Sequence, residues 1–263
     1  MNDIRICALY SGSGGNSTYI RVGDTEILID AGKCARALCN ALREIGSDIS
    51  RISAIFITHE HTDHVSALEV LSKKHAIPIH ITETSAKKFD RDEGAFIHKN
   101  LVRHSEIEFS VTLDAMTVHA FHTPHDSMMS VGYRIETNRD NFPKTIAVAT
   151  DIGYVSDNVR KNLTGCEALV LESNHDEQML MRGAYPYDLK MRILSKGGHL
   201  SNHASAALGE ELASLGAKAF LLAHLSEENN TPECAFDEFY SAIADESVTI
   251  AVASPDTPTE LTF

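Results

Sequence analysis

The segment Thr58-His59-Glu60-His61-Thr62-Asp63-His64 places three imidazoles and the carboxylate of Asp63 among six residues, 59–64, in ligand-like spacing. It follows Ala54–Ile57, a short apolar run that reads as a buried strand. In extended chain His59 and His61 face the same side, and Asp63 and His64 fall where the chain turns into a helix. Imidazole and carboxylate donors together suit zinc, manganese or iron. One loop cannot complete two metal sites, so further ligands must come from later strand ends. His125, in Thr123-Pro124-His125-Asp126, is the best candidate for the third histidine of a first metal. His119 and His122 read instead as lying on or beside the strand before it. Asp151 ends the run Thr145–Thr150, and a carboxylate there could bridge two cations, one oxygen on each. His224 ends another strand, in Ala223-His224-Leu225-Ser226, and would close a second site with Asp63 and His64.

These residues need rigid elements to hold them. Ile4–Tyr10, Thr18–Val22 and Glu26–Asp30 read as three short strands, joined by a Gly/Ser loop and the Gly23-Asp24 turn. Helical spacing runs over Ala35–Ile45, and a helix is expected from about Val65 to His75 after the strand Ala54–Thr58. Residues 101–137 are strand-rich, most clearly Thr117–Phe121 and Ser130–Glu136. The strands Thr145–Thr150, Ala168–Glu172, Ala217–Ala223 and Val248–Ala253 then alternate with helices near Asn158–Leu163 and over 187–195, 204–215 and 232–244. The second half repeats the plan of the first. Two sheets with helices outside fit this order, an α/β fold.

Composition bounds the answer. The chain has 263 residues, of which 43% are hydrophobic, enough for a large α/β core and too many for a disordered chain. No linker rich in Pro, Gly or Ser interrupts it, so residues 1–263 read as one domain. No apolar run is long enough to span a membrane, and residues near the N-terminus lack a signal peptide's basic and apolar segments. Five cysteines, at positions 7, 34, 39, 166 and 234, are odd in number and contain no Cys-x-x-Cys pair. They suit a reducing, cytoplasmic compartment and small buried roles rather than a metal site. The formal charge of −14 argues against a broad nucleic-acid-binding face. It does not exclude a nuclease, because bound cations change the field at the site itself. No membrane partner is expected, and the oligomeric state is open.

The order His59-x-His61-x-Asp63-His64, His125, Asp151, His224 resembles the metallo-β-lactamase superfamily over nearly the whole chain, which implies an αββα sandwich. Asp30-Ala31-Gly32 matches that superfamily's early Asp-x-Gly motif, whose Asp supports the metal loop. Ser11-Gly12-Ser13-Gly14-Gly15-Asn16-Ser17, the surroundings of Asp151, Glu172-Ser173-Asn174-His175-Asp176, Tyr185-Pro186 with Arg192-Ile193-Leu194-Ser195, Gly198-His199-Leu200-Ser201-Asn202 and Asn229-Asn230 resemble the WalJ/YycJ-type branch. That branch implies metal-dependent 5′-to-3′ exonuclease activity on DNA. Tyr10 and Ser127 depart from its pattern, and neither is a proposed ligand.

The resemblance implies two divalent ions, zinc, manganese or iron. His59, His61 and His125 would bind one, Asp63, His64 and His224 the other, with Asp151 and a hydroxide between them. Asp63, His199 and Glu172 are the expected catalytic residues. By analogy with related nucleases, a buried Glu172 would orient His199 to protonate the leaving oxygen; a helix-end capping role for His199 is the alternative. Ser13, Asn16, Asn174, Tyr185, Arg192, Ser201 and Asn202 are the candidate substrate contacts. The Ser11–Ser17 loop could present backbone N–H groups to phosphate or serve as a plain turn. Tyr185, Tyr187, Lys190 and Arg192 could stack on bases and hold phosphates, or form an ordinary solvated helix face. His175 reads equally as a substrate contact or a surface residue. The other readings are a small-molecule hydrolase of the same fold, acting on a cyclic phosphodiester, lactone or thioester, and a non-catalytic metal-binding regulatory module.

Overall fold

Alternate residues of a strand face opposite sides. Along β1 (Ile4–Tyr10) this sends Ile6 and Ala8 into one hydrophobic cluster and Cys7 and Leu9 into another, and all four are buried. A sheet buried on both faces needs cover on both, and the computed structural model, which describes residues 4–137 and 144–263, supplies it as four layers. β1, β2 (Ser17–Val22) and β3 (Thr25–Ile29) form an antiparallel meander. β4 (Ile52–Phe56), β5 (Ile79–Thr82) and β6 (Leu101–His104) extend it in parallel. The second sheet repeats this plan. β7 (Ser110–Thr112), β8 (Met116–His122), β9 (Val131–Thr137) and β10 (Thr145–Ala149) are antiparallel neighbours. β11 (Ala168–Glu172), β12 (Ala219–Ala223) and β13 (Thr249–Val252) follow in parallel. β14 (Thr259–Leu261) returns to pair with β1.

The inner faces of the two sheets meet through Ile6, Ile20, Phe56, Val118, Tyr133, Val148 and Leu221. α1 (Ala35–Glu44) covers the outer face of the first sheet with Leu38 and Leu42. α2 (Thr62–Val65) and α3 (Leu68–Lys74) add Val65, Leu68 and Leu71 to that cluster, and the short α4 (Glu83–Ala86) adds Ala86. On the second sheet the cover comes from Val159 and Leu163 of α5 (Asp157–Leu163). α6 (Glu177–Arg182) and α7 (Tyr187–Ile193) lie between β11 and β12 in the chain. α8 (Asn202–Ser214) adds Leu208 and Leu212 to the second outer cluster, and α9 (Pro232–Ile243) adds Phe239. Each large side chain so buried contributes about 1.5–3 kcal/mol. The result is the expected αββα sandwich.

The helix expected from Val65 to His75 is in fact two helices, and hydrogen bonding gives the reason. The carbonyl of Asp63, which an uninterrupted helix would offer to Ala67, accepts instead from Asn16 N at 2.8 Å. Ala67 N donates to Ala31 O at 2.9 Å. The helix therefore breaks to keep the 59–64 loop tied to two earlier segments. The periodicity also left β5, β14 and α6 unassigned, each being short.

Glycine matters at two close approaches. Gly132 of β9 faces Phe121 of β8, whose ring lies where a side chain would begin. Gly32 donates to Asn16 O at 2.8 Å, and a methyl group on it would overlap the backbone oxygen and carbon of Asp63. Overpacking of this kind costs about 1–3 kcal/mol. Gly132→Val should lower Tm by several degrees in a thermal melt; an unchanged Tm would show that Phe121 moves aside freely. Gly32→Ala should destabilise at least as much, because the obstacle is backbone, and should also displace the 59–64 loop. Retention of wild-type Tm and wild-type metal content by Gly32→Ala would refute that account.

Candidate metal centre

In sheets with parallel strands, ligands gather beyond the carboxyl ends of the strands. Here Asp30 follows β3, Asp151 follows β10 and His224 follows β12, and all three have positive φ, at 64°, 57° and 59°. Asp and His tolerate this left-handed region better than most side chains. Such turns still cost about 1–3 kcal/mol each and persist where the surroundings enforce them. Repetition of one strained turn at three strand ends marks a common purpose, which is to place side chains around one point.

That point is crowded with donors. One ligand atom from each of His59, His61 and His125 lies within 4.8 Å of the others, and Asp63, His64 and His224 form a second group on the same measure. Asp151 joins them. Its Oδ2 is 3.4 Å from His64 Nε2, and its Oδ1 is 3.7 Å from His125 Nε2 and 3.6 Å from His224 Nε2. His59 Nε2, His224 Nε2 and Asp151 Oδ2 are buried without any hydrogen-bond partner. An unsatisfied buried polar atom costs about 1–3 kcal/mol, so three converging here fit a site shaped for cations.

The opposite ring nitrogens are already committed. His64 Nδ1 is 2.7 Å from Asp30 Oδ2, and Asp30 also accepts from Thr58 N and Thr58 Oγ1, each at 2.8 Å. Thr58 Oγ1 lies 3.0 Å from His59 Nδ1. His125 Nδ1 meets Gly198 O at 3.1 Å, and His224 Nδ1 meets Glu172 Oε1 at 3.0 Å. Partners of this kind fix ring orientation and leave Nε2 for a ligand. Burial pushes His59 well below the ordinary histidine range, toward the neutral form that binds metal. Burial pulls His224 the same way, but Asp151, Asp63 and Glu172 lift it to about 10. The carboxylates thus draw positive charge to the centre.

Glu172 has a wider reach than expected. Fully buried, it offers Oε1 to His199 Nδ1 at 2.8 Å as well as to His224 Nδ1. Its Oε2 accepts from Ile152 N at 2.8 Å and Leu200 N at 3.0 Å. Burial would raise its pKa, yet the facing His199 and His224 outweigh that and hold it at about 2. One carboxylate therefore joins the segments that carry Asp151, His199 and His224. No short motif signals this, because the partners are 52 and 27 residues away. His199 itself lies in the loop between α7 and α8, not at a capping position, which Ser201 occupies.

The candidate substrate contacts separate into two sets. Ser13, Asn174, Tyr185 and Arg192 line a cavity of about 170 Å³ together with His199 and His224. Asn174 is nonetheless buried, and its Nδ2 donates to His224 O at 2.7 Å. Ser201 caps α8, donates to Glu177 at 2.9 Å and lines a larger cavity of about 400 Å³. Two expectations need correction. Asn202 is 1% exposed, its amide bonded to Asn230 and Ser173, so it braces the interior. Asn16 is buried too, its Nδ2 3.2 Å from Asp63 Oδ2 and 3.1 Å from His64 Nε2, so it faces the inward donor atoms of the second group rather than reaching outward. A surface reading of His175 also fails, because it is 1% exposed. Lys190 donates to the carbonyls of Met181 and Gly183, a local structural role. His119 and His122 lie on β8 as expected, away from the cluster. Lys88 and Arg91, unmarked in the sequence, line a third cavity of about 490 Å³ with His61, Asp63 and Arg192.

Comparison with known proteins agrees with this architecture. The family model described as the β-lactamase superfamily domain matches residues 25–225. Exodeoxyribonuclease YycJ of Bacillus anthracis is 34% identical over 236 residues, which is 88% of this chain and 86% of the relative. Exodeoxyribonuclease WalJ of Streptococcus pneumoniae is 31% identical over 261 residues, 97% of this chain and 96% of that one. Among solved structures, the metallo-β-lactamase fold protein YhfI from Bacillus subtilis superposes with a TM-score of 0.70 at 16% identity, covering 98% of both chains. The Zn²⁺-bound PqqB from Methylobacterium extorquens gives the same TM-score and identity, covering 97% of this chain and 99% of its own. These two show likeness of fold alone. The chain belongs to the metallo-β-lactamase superfamily, in the branch of the YycJ and WalJ relatives.

Proposed function

We propose that this protein is a metal-dependent exodeoxyribonuclease that shortens DNA in the 5′-to-3′ direction and carries out this activity as one domain. The observation that carries the reading is the convergence of seven donor side chains from both sheets beside the Glu172–His199 pair. The names of the two relatives support DNA as the substrate. We assign His59, His61 and His125 to one divalent ion, Asp63, His64 and His224 to a second, and Asp151 to both. Zinc, manganese and iron all suit these ligands. When bound, the ions supply Lewis acidity and lower the pKa of water.

The chain's own residues do the rest. Glu172 fixes His199 by its Nδ1, so Nε2 is the nitrogen left to give a proton to the departing oxygen. Asp30 holds His64 through Nδ1, and Asn16 donates to Asp63. Arg192, paired with Asp126 beside the centre, is positioned to meet a phosphate. Among the described residues no helix is long and apolar enough to cross a membrane. All five cysteines are free, which supports a reducing compartment such as the cytoplasm.

Asp63→Ala should keep the fold and lose more activity than the roughly ten- to hundredfold typical when only an orienting partner is removed. Digestion of end-labelled DNA at the wild-type rate by this variant would overturn the assignment. Chelation should abolish digestion by the wild-type protein, and added zinc or manganese should restore it. Hydrolysis of bis-p-nitrophenyl phosphate without any action on DNA, under every metal, would favour a small-molecule hydrolase instead. Failure on both substrates would favour a non-catalytic module.

A further inference from the structure

His199 stands in the wall between two cavities. The smaller, of about 170 Å³, also touches His224 and so belongs to the centre. The larger, of about 400 Å³, contains none of the seven proposed ligands. It is walled by Tyr154, His175, Glu177, Leu194, Ser201 and the α8 face that includes Ala207. From the position of His199 we infer that this larger cavity seats the terminal nucleotide of the strand being degraded, on the leaving-group side of the scissile bond. The inference rests on the nuclease reading and adds a subsite to it.

The chemistry fixes the side. A water oxygen adds to phosphorus as the P–O3′ bond breaks. The O3′ takes a proton from His199 Nε2, and the water's surplus proton passes to solvent, from which His199 is recharged. The nucleotide attached to O3′ must therefore lie next to His199, and the rest of the strand on the opposite side. A separate cavity, which His199 does not line, gathers Lys88, Arg91 and Arg192 beside His61 and Asp63, the basic groups a continuing phosphate chain requires.

The walls of the larger cavity suit a nucleoside rather than a free anion. Both carboxylates there are paired internally, Glu177 with Ser201 and Glu211 with Arg160. Tyr154 is 44% exposed, with the Lys196 ammonium 5.7 Å from its ring centre, and presents an aromatic surface on which a base can stack. His175, 1% exposed, also lies in the wall of this cavity, so the surface reading gives way to a place beside the proposed subsite. The volume falls within the range of about 300–1,000 Å³ usual for small-molecule sites, fit for one nucleotide and too small for a duplex.

Two variants test this on the metal-loaded protein. Tyr154→Ala removes the stacking surface, and Ala207→Trp fills the cavity from the exposed side of α8. Each is compared with wild type on 5′-labelled linear DNA, on bis-p-nitrophenyl phosphate, and for inhibition by a deoxynucleoside 5′-monophosphate. Both should lose at least about tenfold in kcat/KM on DNA, with KM carrying most of the loss for Tyr154→Ala. Inhibition by the mononucleotide should weaken to a similar degree. Hydrolysis of the small diester, which has no base, should fall no more than about twofold, a split that a merely structural defect would not give. Equal losses on both substrates, or wild-type behaviour on DNA, would overturn the subsite. If Ala207→Trp fails to fold, the exposed Tyr154→Ala still decides the matter. If wild type cleaves the small diester but not DNA, the nuclease reading fails and the subsite with it. If wild type digests DNA and Tyr154→Ala digests it equally well, the subsite alone fails.

Discussion

The buried carboxylate of Asp30 ties the 59–64 loop to the first sheet. It accepts the amide and hydroxyl of Thr58 and faces Nδ1 of His64, so it grips the loop near both ends. Burial alone raises the pKa of Asp30, and the partners on Thr58 and His64 are what make a charged group tolerable there. Backbone bonds from Asn16 and Ala31, and the bonds that Ser85, Lys88 and Met128 make to Glu60, hold the loop elsewhere, but Asp30 is the acid that fixes Thr58 and the ring of His64. The second sheet has an equivalent in Glu172, which joins Ile152, Leu200, His199 and His224. Each sheet thus contributes one buried acid that organises the donors at its strand ends, and the centre forms where the two sets meet.

The two sheets share more than this. Each runs as an antiparallel meander that continues into parallel strands, and all the donors except His125, which lies between the antiparallel β8 and β9, follow strands with a parallel neighbour. The left-handed turns at Asp30, Asp151 and His224 recur at the same kind of position, just past a strand. A helix following a parallel strand usually draws on hydrophobic packing alone. Here the helical stretch after β4 is split so that backbone groups of Asp63 and Ala67 can bond to distant loops. Regular secondary structure has yielded to the demands of the centre.

This explains which features were legible in the sequence. The convergence of the seven donor side chains could be read because such groups are chemically distinctive and because strand ends are marked by apolar runs. The layered fold could be read because β1, β3, β4, β10, β11 and β12 are short apolar stretches of strand length. Asparagine misled, because an amide that could hold a phosphate can equally hold a neighbouring loop; Asn16 and Asn202 do the second. The double bond from Glu172 and the break before Leu68 depend on contacts between residues far apart in the chain, and local spacing carries no trace of them. Lys88 and Arg91 were invisible for the same reason, since only folding brings them beside Asp63.

The net charge of −14 then acquires a meaning. A net negative charge of this size repels a polyanion, with a range set by a screening length of about 8–10 Å in ordinary salt. Binding of DNA would have to be local, at a point where the field reverses. Among the described residues the donor cluster, which would gain positive charge on taking up cations, lies beside Lys88, Arg91 and Arg192 and offers such a region. A protein arranged in this way has little hold on the middle of a duplex and depends on contacts within a few ångströms of the reacting phosphate. Under the proposed function, that favours action at an end, where a single nucleotide would pass His199, over action along the length of the strand.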